Sequence, residues 1–175
     1  MATDFKSNKL EQIRGTLYQQ GYAEFNVIAK NFDNSPAVGI FIDGLSDLAV
    51  TFPVPDGCMV YAEIQYATFL SDTDGSVDSA TSGSLASAGY RPLGGNVSDV
   101  EQINTAFEIV SSVAEFNTTD AATAGTLTFS ASADTTNQGI LITVANDSAD
   151  EVGDLFGRIR LICAVKDGRK TTLVT

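Results

Sequence analysis

Apolar and polar residues alternate with a period of two along much of the chain, and the longest clean run begins at Cys58. Cys58, Val60, Ala62, Ile64 and Tyr66 fall on one face, with Met59, Tyr61, Glu63 and Gln65 on the other. A period of two with one charged face predicts a half-buried antiparallel strand, here reaching Phe69. Before it stand a short apolar stretch from Leu48 and the sequence Pro53-Val54-Pro55-Asp56-Gly57. Proline sets φ for a turn position, and Asp-Gly accepts the positive φ of a tight reversal. Residues 48–69 therefore predict a hairpin.

The same alternation predicts a first strand over 22–31, with Phe25, Val27 and Ala29 inward and Glu24, Asn26 and Lys30 outward. Residues 31–36 form a turn cluster, 37–42 a short strand and 106–116 a longer one. Residues 126–133 place Leu127, Phe129 and Ala131 inward, and 139–145 carry Ile140, Ile142 and Val144. Residues 117–125 read as a turn region, and 146–154 as an acidic loop. In 156–166, Ile159, Leu161, Cys163 and Val165 face in, with Arg158, Arg160 and Lys166 facing out. Asp167-Gly168 is a hairpin signal that would return 171–174 antiparallel. Residues 97–105 suggest a turn of helix. From 71 to 95 the pattern collapses into Ser, Asp, Gly and Ala, which predicts a long exposed loop tipped by Tyr90 and Arg91. Residues 1–21 differ from the rest. Leu10, Ile13 and Leu17 have helical spacing over 7–18, although an extended arm fits equally well.

About eight or nine strands with no convincing internal helix predict an all-β fold, an antiparallel β-sandwich of jelly-roll type. At 175 residues the chain is expected to be one domain, 22–175, preceded by an arm or short helix over 1–21. A domain of this size buries roughly 70% of its unfolded surface and needs neither disulfide nor metal. No stretch approaches the ~20 apolar residues of a membrane span. Met-Ala-Thr-Asp-Phe-Lys lacks a signal peptide's apolar run, so a soluble protein made in a cytoplasm is expected.

Charge changes the picture more than composition does. The net charge of −12 argues against nucleic acid and anionic membranes as partners. Residues 31–157 hold eighteen acids and one base, Arg91, whereas Lys6, Lys9 and Arg14 and then Arg158, Arg160, Arg169 and Lys170 lie toward the two ends. An acidic body with basic ends suggests that both ends lie close together and anchor a partner. Solvation by an acidic surface is the plainer alternative.

Candidate chemistry is sparse. Histidine is absent, which removes the usual general base and the Ser-His-Asp and Cys-His constellations. Two cysteines without histidine make no zinc site, and no Gly-rich phosphate loop opens a helix. Asp72, Asp74, Gly75 and Asp78 look like a calcium loop, but Leu70 and Thr81 stand where ligands are required. A carboxylate pair of glycosidase type stays open, with Glu63, Glu108 and Glu115 the acids of residues 31–157 that fall in predicted strands. Cys58 and Cys163 both sit on apolar faces, either as free buried thiols or as a disulfide between neighbouring strands. No catalytic residue, cofactor or metal is expected.

Val54-Pro55-Asp56-Gly57 with its following strand, the Ala/Thr/Ser-rich strand at 126–133 and the strand at 158–165 resemble the layout of small structural proteins of tailed-phage virions. That group comprises head-decoration (cement) proteins and head or tail fibre proteins. The resemblance spans about residues 22–166 and implies a non-enzymatic, often trimeric virion component, contacting a major capsid protein or a tail component. Two roles follow. The chain either cements a capsid, anchored through its basic ends, or serves a tail or fibre as a receptor- or glycan-binding module contacting its target through Tyr90 and Arg91.

Overall fold

The computed structural model describes residues 4–43, 51–72, 77–102, 108–114, 127–147 and 151–165. Helix α1 (Asp4–Gln20) comes first, followed by eleven strands: β1 (Tyr22–Phe32), β2 (Val38–Gly39), β3 (Phe41–Ile42), β4 (Thr51–Pro53), β5 (Cys58–Asp72), β6 (Val77–Tyr90), β7 (Asp99–Gln102), β8 (Glu108–Ala114), β9 (Leu127–Asp134), β10 (Gly139–Asn146) and β11 (Glu151–Val165). Every pairing is antiparallel.

The strands divide unequally. The larger sheet has seven, in the order β3-β1-β11-β5-β6, with β7 and β8 sharing the outer edge of β6. The smaller sheet is built on β10, which pairs with β9 along its whole length and with β4 and β2. The all-β sandwich expected from the alternation is what forms. Its spine is the β5–β11 ladder, fifteen residues on each strand, in unbroken register from Val165↔Cys58 to Glu151↔Asp72.

The core lies between the sheets, where each strand delivers every second residue. Val60, Ala62, Ile64 and Leu70 of β5 meet Leu155, Ile159 and Leu161 of β11, with Ile140, Ile142 and Val144 of β10 opposite. Tyr66 and Phe129 pack across the gap with ring centroids 5.0 Å apart and planes tilted by 45°, within the range of a favourable aromatic pair. Helix α1 belongs to this core: Ile13 and Leu17 are buried in it, and the helix packs against β1, β4 and β11. Gly21, at φ +70°, ends the helix by returning its N–H to the Leu17 carbonyl at 2.9 Å. Its own carbonyl then accepts from Cys163 N at 2.9 Å, which ties the helix exit to β11.

Several sequence expectations are corrected. The 48–69 segment is not a hairpin: β4 pairs with β10 and β5 with β11 and β6, so the Pro-Asp-Gly turn carries the chain from one sheet to the other. The 37–42 strand is two short strands in different sheets, with fully buried Ile40 as the crossing point. The 71–95 loop is mostly strand β6, which pairs with β5 on one side and with β7 and β8 on the other. The helical turn at 97–105 gives way to β7. Strand preference depends on neighbours, and a long partner such as β5 pulls a run of Ser, Ala and Gly into register. The acidic loop at 146–154 is shorter than expected, since β10 reaches Asn146 and β11 starts at Glu151. The turn region at 117–125, the hairpin signal at 167–168 and the return strand at 171–174 lie outside the described residues.

Cys58 and Cys163 are free thiols on paired strands. Burial pushes both pKa values up, that of Cys163 to about 12, with its neighbour Cys58 adding to the effect. The folded protein therefore keeps protons that the unfolded chain releases near pH ~8.5. The stability this contributes is complete below that pH and drains away as pH rises toward the folded-state values. Alkylation by iodoacetamide at pH 8 should be slow until urea unfolds the protein. Fast labelling of the native chain would contradict this burial.

Asp134 closes the turn between β9 and β10. Burial works to raise its pKa, but bonds from Thr51 Oγ1, Asn137 N and Nδ2, and Thr136 N outweigh it, and the pKa is lowered. A lowered carboxylate pKa stabilises above the unfolded value of about 3.9 and is lost as pH falls through the folded value. Asp134→Ala should cost about 1–3 kcal/mol at pH 7, since it strands a buried Thr51 hydroxyl. The difference from wild type in urea midpoint should shrink at low pH.

Candidate interaction surface

The outward residues of β1, β11, β5 and β6 form rows across the larger sheet, set by the pairing register. One row reads Tyr22–Ile162–Tyr61–Ala88, the next Glu24–Arg160–Glu63–Ala86, then Asn26–Arg158–Gln65–Ser84 and Ile28–Phe156–Ala67–Ser82. A sheet face that meets only water usually carries polar residues here. This one does not. Tyr22, Met59, Phe69, Val152, Phe156 and Ile162 are each 37–47% exposed. They make up all but two of the large exposed hydrophobics among the described residues, the others being Tyr18 and Leu93.

A charged belt crosses the middle of the face. Arg158 Nη1 lies 3.0 Å from Glu24 Oε1, and Arg160 Nη1 lies 3.6 Å from Glu63 Oε2. The Tyr22 hydroxyl donates to Glu24, which raises the tyrosine's pKa and lowers that of the carboxyl, and the arginines push the carboxyl the same way. Exposed pairs of this kind are screened by water and add little to stability, so they are weak reasons for the fold. Their effect is to make the belt neutral within an otherwise acidic body.

A second surface lies where α1 meets the turns at 54–57 and 91–95. Arg14, Tyr18, Asp56, Arg91, Leu93 and Gln138 line an open groove there. Arg14 donates to the Asn137 carbonyl, while Arg91 Nε donates to the Gly95 carbonyl at 2.9 Å and lies 3.6 Å from Asp56. Gln138, at φ +53°, holds the groove's floor: its Oε1 accepts from Val97 N at 3.0 Å and its carbonyl from Val54 N at 3.0 Å.

The structure distributes the expected site residues over both surfaces. Arg158 and Arg160 occupy the belt, paired within the chain. Arg14 lies in the groove. Lys6 and Lys9 belong to α1, and Arg169 and Lys170 lie outside the described residues. The fold does bring α1 and the late strand β11 into contact, but the basic groups described do not form one patch. Tyr90 and Arg91 are not a loop tip. Tyr90 is the last residue of β6, opposite Met59, and Arg91 braces the turn that follows. Glu63 is an ion-pair member of the belt, and its partner there is Arg160. Among the described residues, no cluster of three or more His, Cys, Asp or Glu could hold a metal ion. Residues 73–76, within the acidic 72–78 segment, lie outside the description.

The apolar face had a sequence signal that alternation alone hides. From Leu161 to Val165 both parities of β11 are apolar, and Leu155-Phe156 repeats this. Such runs belong to strands covered on both sides.

No family model and no curated protein matches this sequence. Among solved structures, the tailspike protein of Acinetobacter baumannii phage AM24 is similar over 85% of this chain, with a TM-score of 0.41 and 9% identity. The chain spans about a quarter of that protein's length, 27%. No helix among the described residues is long and apolar enough to cross a membrane.

Proposed function

We propose that this protein is a non-enzymatic structural component of a phage virion, a capsid decoration protein that works by occupying surface rather than by turning over a substrate. The observation that carries the assembly role is the outer face of the larger sheet, with its six exposed large apolar side chains and its self-neutralised belt. Patches of this kind mark interaction sites. The placement in a virion rests on the sequence layout described above. Basic groups at Lys6, Lys9, Arg169 and Lys170 serve as the anchor to a capsid protein.

The test is the presence of the chain in gradient-purified particles of the encoding phage, at fixed stoichiometry to the major capsid protein. Absence from particle fractions sinks the proposal. Reversal of Lys6, Lys9, Arg169 and Lys170 to glutamate should lower occupancy without unfolding the domain, and unchanged occupancy removes the anchoring role.

A second reading, a receptor- or glycan-binding module, is supported by the groove that gathers Arg14, Tyr18 and Arg91. Tyr18→Ala with Arg91→Ala should then abolish binding to host cells or their surface glycans. Unaltered binding in that double variant excludes the groove.

A further inference from the structure

We infer that two copies of this chain pair through the outer face of the larger sheet, about a twofold axis that runs along the strands between β5 and β11. The pairing is a property of the isolated chain and does not depend on where the protein is deployed.

The area suffices. Strands rise about 3.3 Å per residue and lie about 4.8 Å apart, so Val152 to Ile162 across four strands covers roughly 600 Å². Two such faces bury roughly 1,200 Å², the lower bound of standard stable interfaces. Electrostatics select the face. Each copy carries a net charge of −12, and two such bodies repel except where they meet without net charge. On this face Glu24 and Glu63 offset Arg158 and Arg160.

The register then selects the axis. A twofold across the strands at the level of the belt lays β11 on β11 and stacks Arg158 and Arg160 on each other. A twofold along β11 does the same and also puts Glu24 over Glu63. With the axis between β1 and β11, β5 with Met59 and Phe69 would fall on the two-residue β3 and stay uncovered. With the axis between β5 and β11, each residue of β11 faces its own register partner on the other copy. Arg160 then meets Glu63, Arg158 meets Gln65, Phe156 meets Ala67 and Met59 meets Ala164. Arg160 thus meets an opposite charge, Phe156 and Met59 each meet an alanine, Ile162 meets Tyr61 and Phe69 meets Asp154, while β1 settles on the row of β6 that holds Ala88. An isologous interface requires such self-complementarity.

Sedimentation velocity of the full chain at tens of micromolar should give twice the chain mass. Arg160→Glu and Glu63→Arg should each weaken pairing at least about 100-fold by opposing like charges. Both positions are partly exposed, so circular dichroism should be unchanged. Mixed together, the two variants should form a heterodimer. One chain then carries only glutamates at positions 160 and 63 and the other only arginines, so every facing pair is of opposite charge. Ile162→Asp, which does not touch the belt charges, should also yield monomer. A wild-type monomer or trimer, dimers indifferent to all three substitutions, or failure of the mixture to recover would overturn the inference. Recovery of Arg160→Glu by Glu24→Arg instead of Glu63→Arg would overturn the axis.

Discussion

Phe32→Ala is expected to destabilise the protein by about 3–5 kcal/mol, a large share of the ~5–15 kcal/mol that holds a domain together. Phe32 is fully buried at the end of β1, just after a bulge that shifts the pairing with β11. Its ring fills the space that a side chain on Gly153 would need. A Cβ built on Gly153 would come within 2.2 Å of Phe32 Cε2 and 2.8 Å of Leu70 Cδ2. Gly153→Ala alone should therefore cost about 1–3 kcal/mol by overpacking. In the Phe32→Ala background the same methyl enters a vacated site, and its cost should fall or change sign. Neighbouring core sites couple in this way. Urea midpoints of the two single variants and the double variant close the cycle, and strict additivity would show that the ring and the glycine do not share that space.

Leu17→Ala is the second large effect, about 2–5 kcal/mol. Its side chain is fully buried, held between the helix exit at Gly21 and the strands that α1 covers. An arm laid on the surface would tolerate alanine within about 0.5 kcal/mol. Thermal or urea unfolding separates the two cases cleanly. The result also decides how the basic groups of α1 can be tested. Deleting the helix removes part of the core, so only charge substitutions report on anchoring.

How much of this was legible depends on which force sets each element. Where burial on one face decides, as in Cys58–Tyr66 or Ile140–Val144, period-two alternation located the strand and its inward side. Where backbone pairing decides, the side chains were silent. Strand β6 is Ser, Ala and Gly for most of its length, and only a full-length partner identifies it. The Pro53–Gly57 turn gave a reversal but not the sheet in which each arm pairs, because turn chemistry is local and sheet membership is not. The surface was partly readable. Arg158 and Arg160 were visible as outward residues, but their partners came from β1 and β5, which only the register supplies. The expected importance of Tyr90 and Arg91 rested on a long loop where the chain instead runs as strand β6 up to Tyr90.

The central ladder also sets when the fold can form. Tyr22 pairs with Ile162, and β11 lies between β1 and β5 in the larger sheet. Strand β1 thus waits for a neighbour synthesised almost the whole domain later, and its loop-closure cost precedes any contact that repays it. During that interval the apolar edges of β1 and β5 are both unpaired, the condition under which nascent chains aggregate. Overproduction at reduced temperature, or with added holdase chaperone, should raise the soluble yield of this chain more than substitutions on its finished surface.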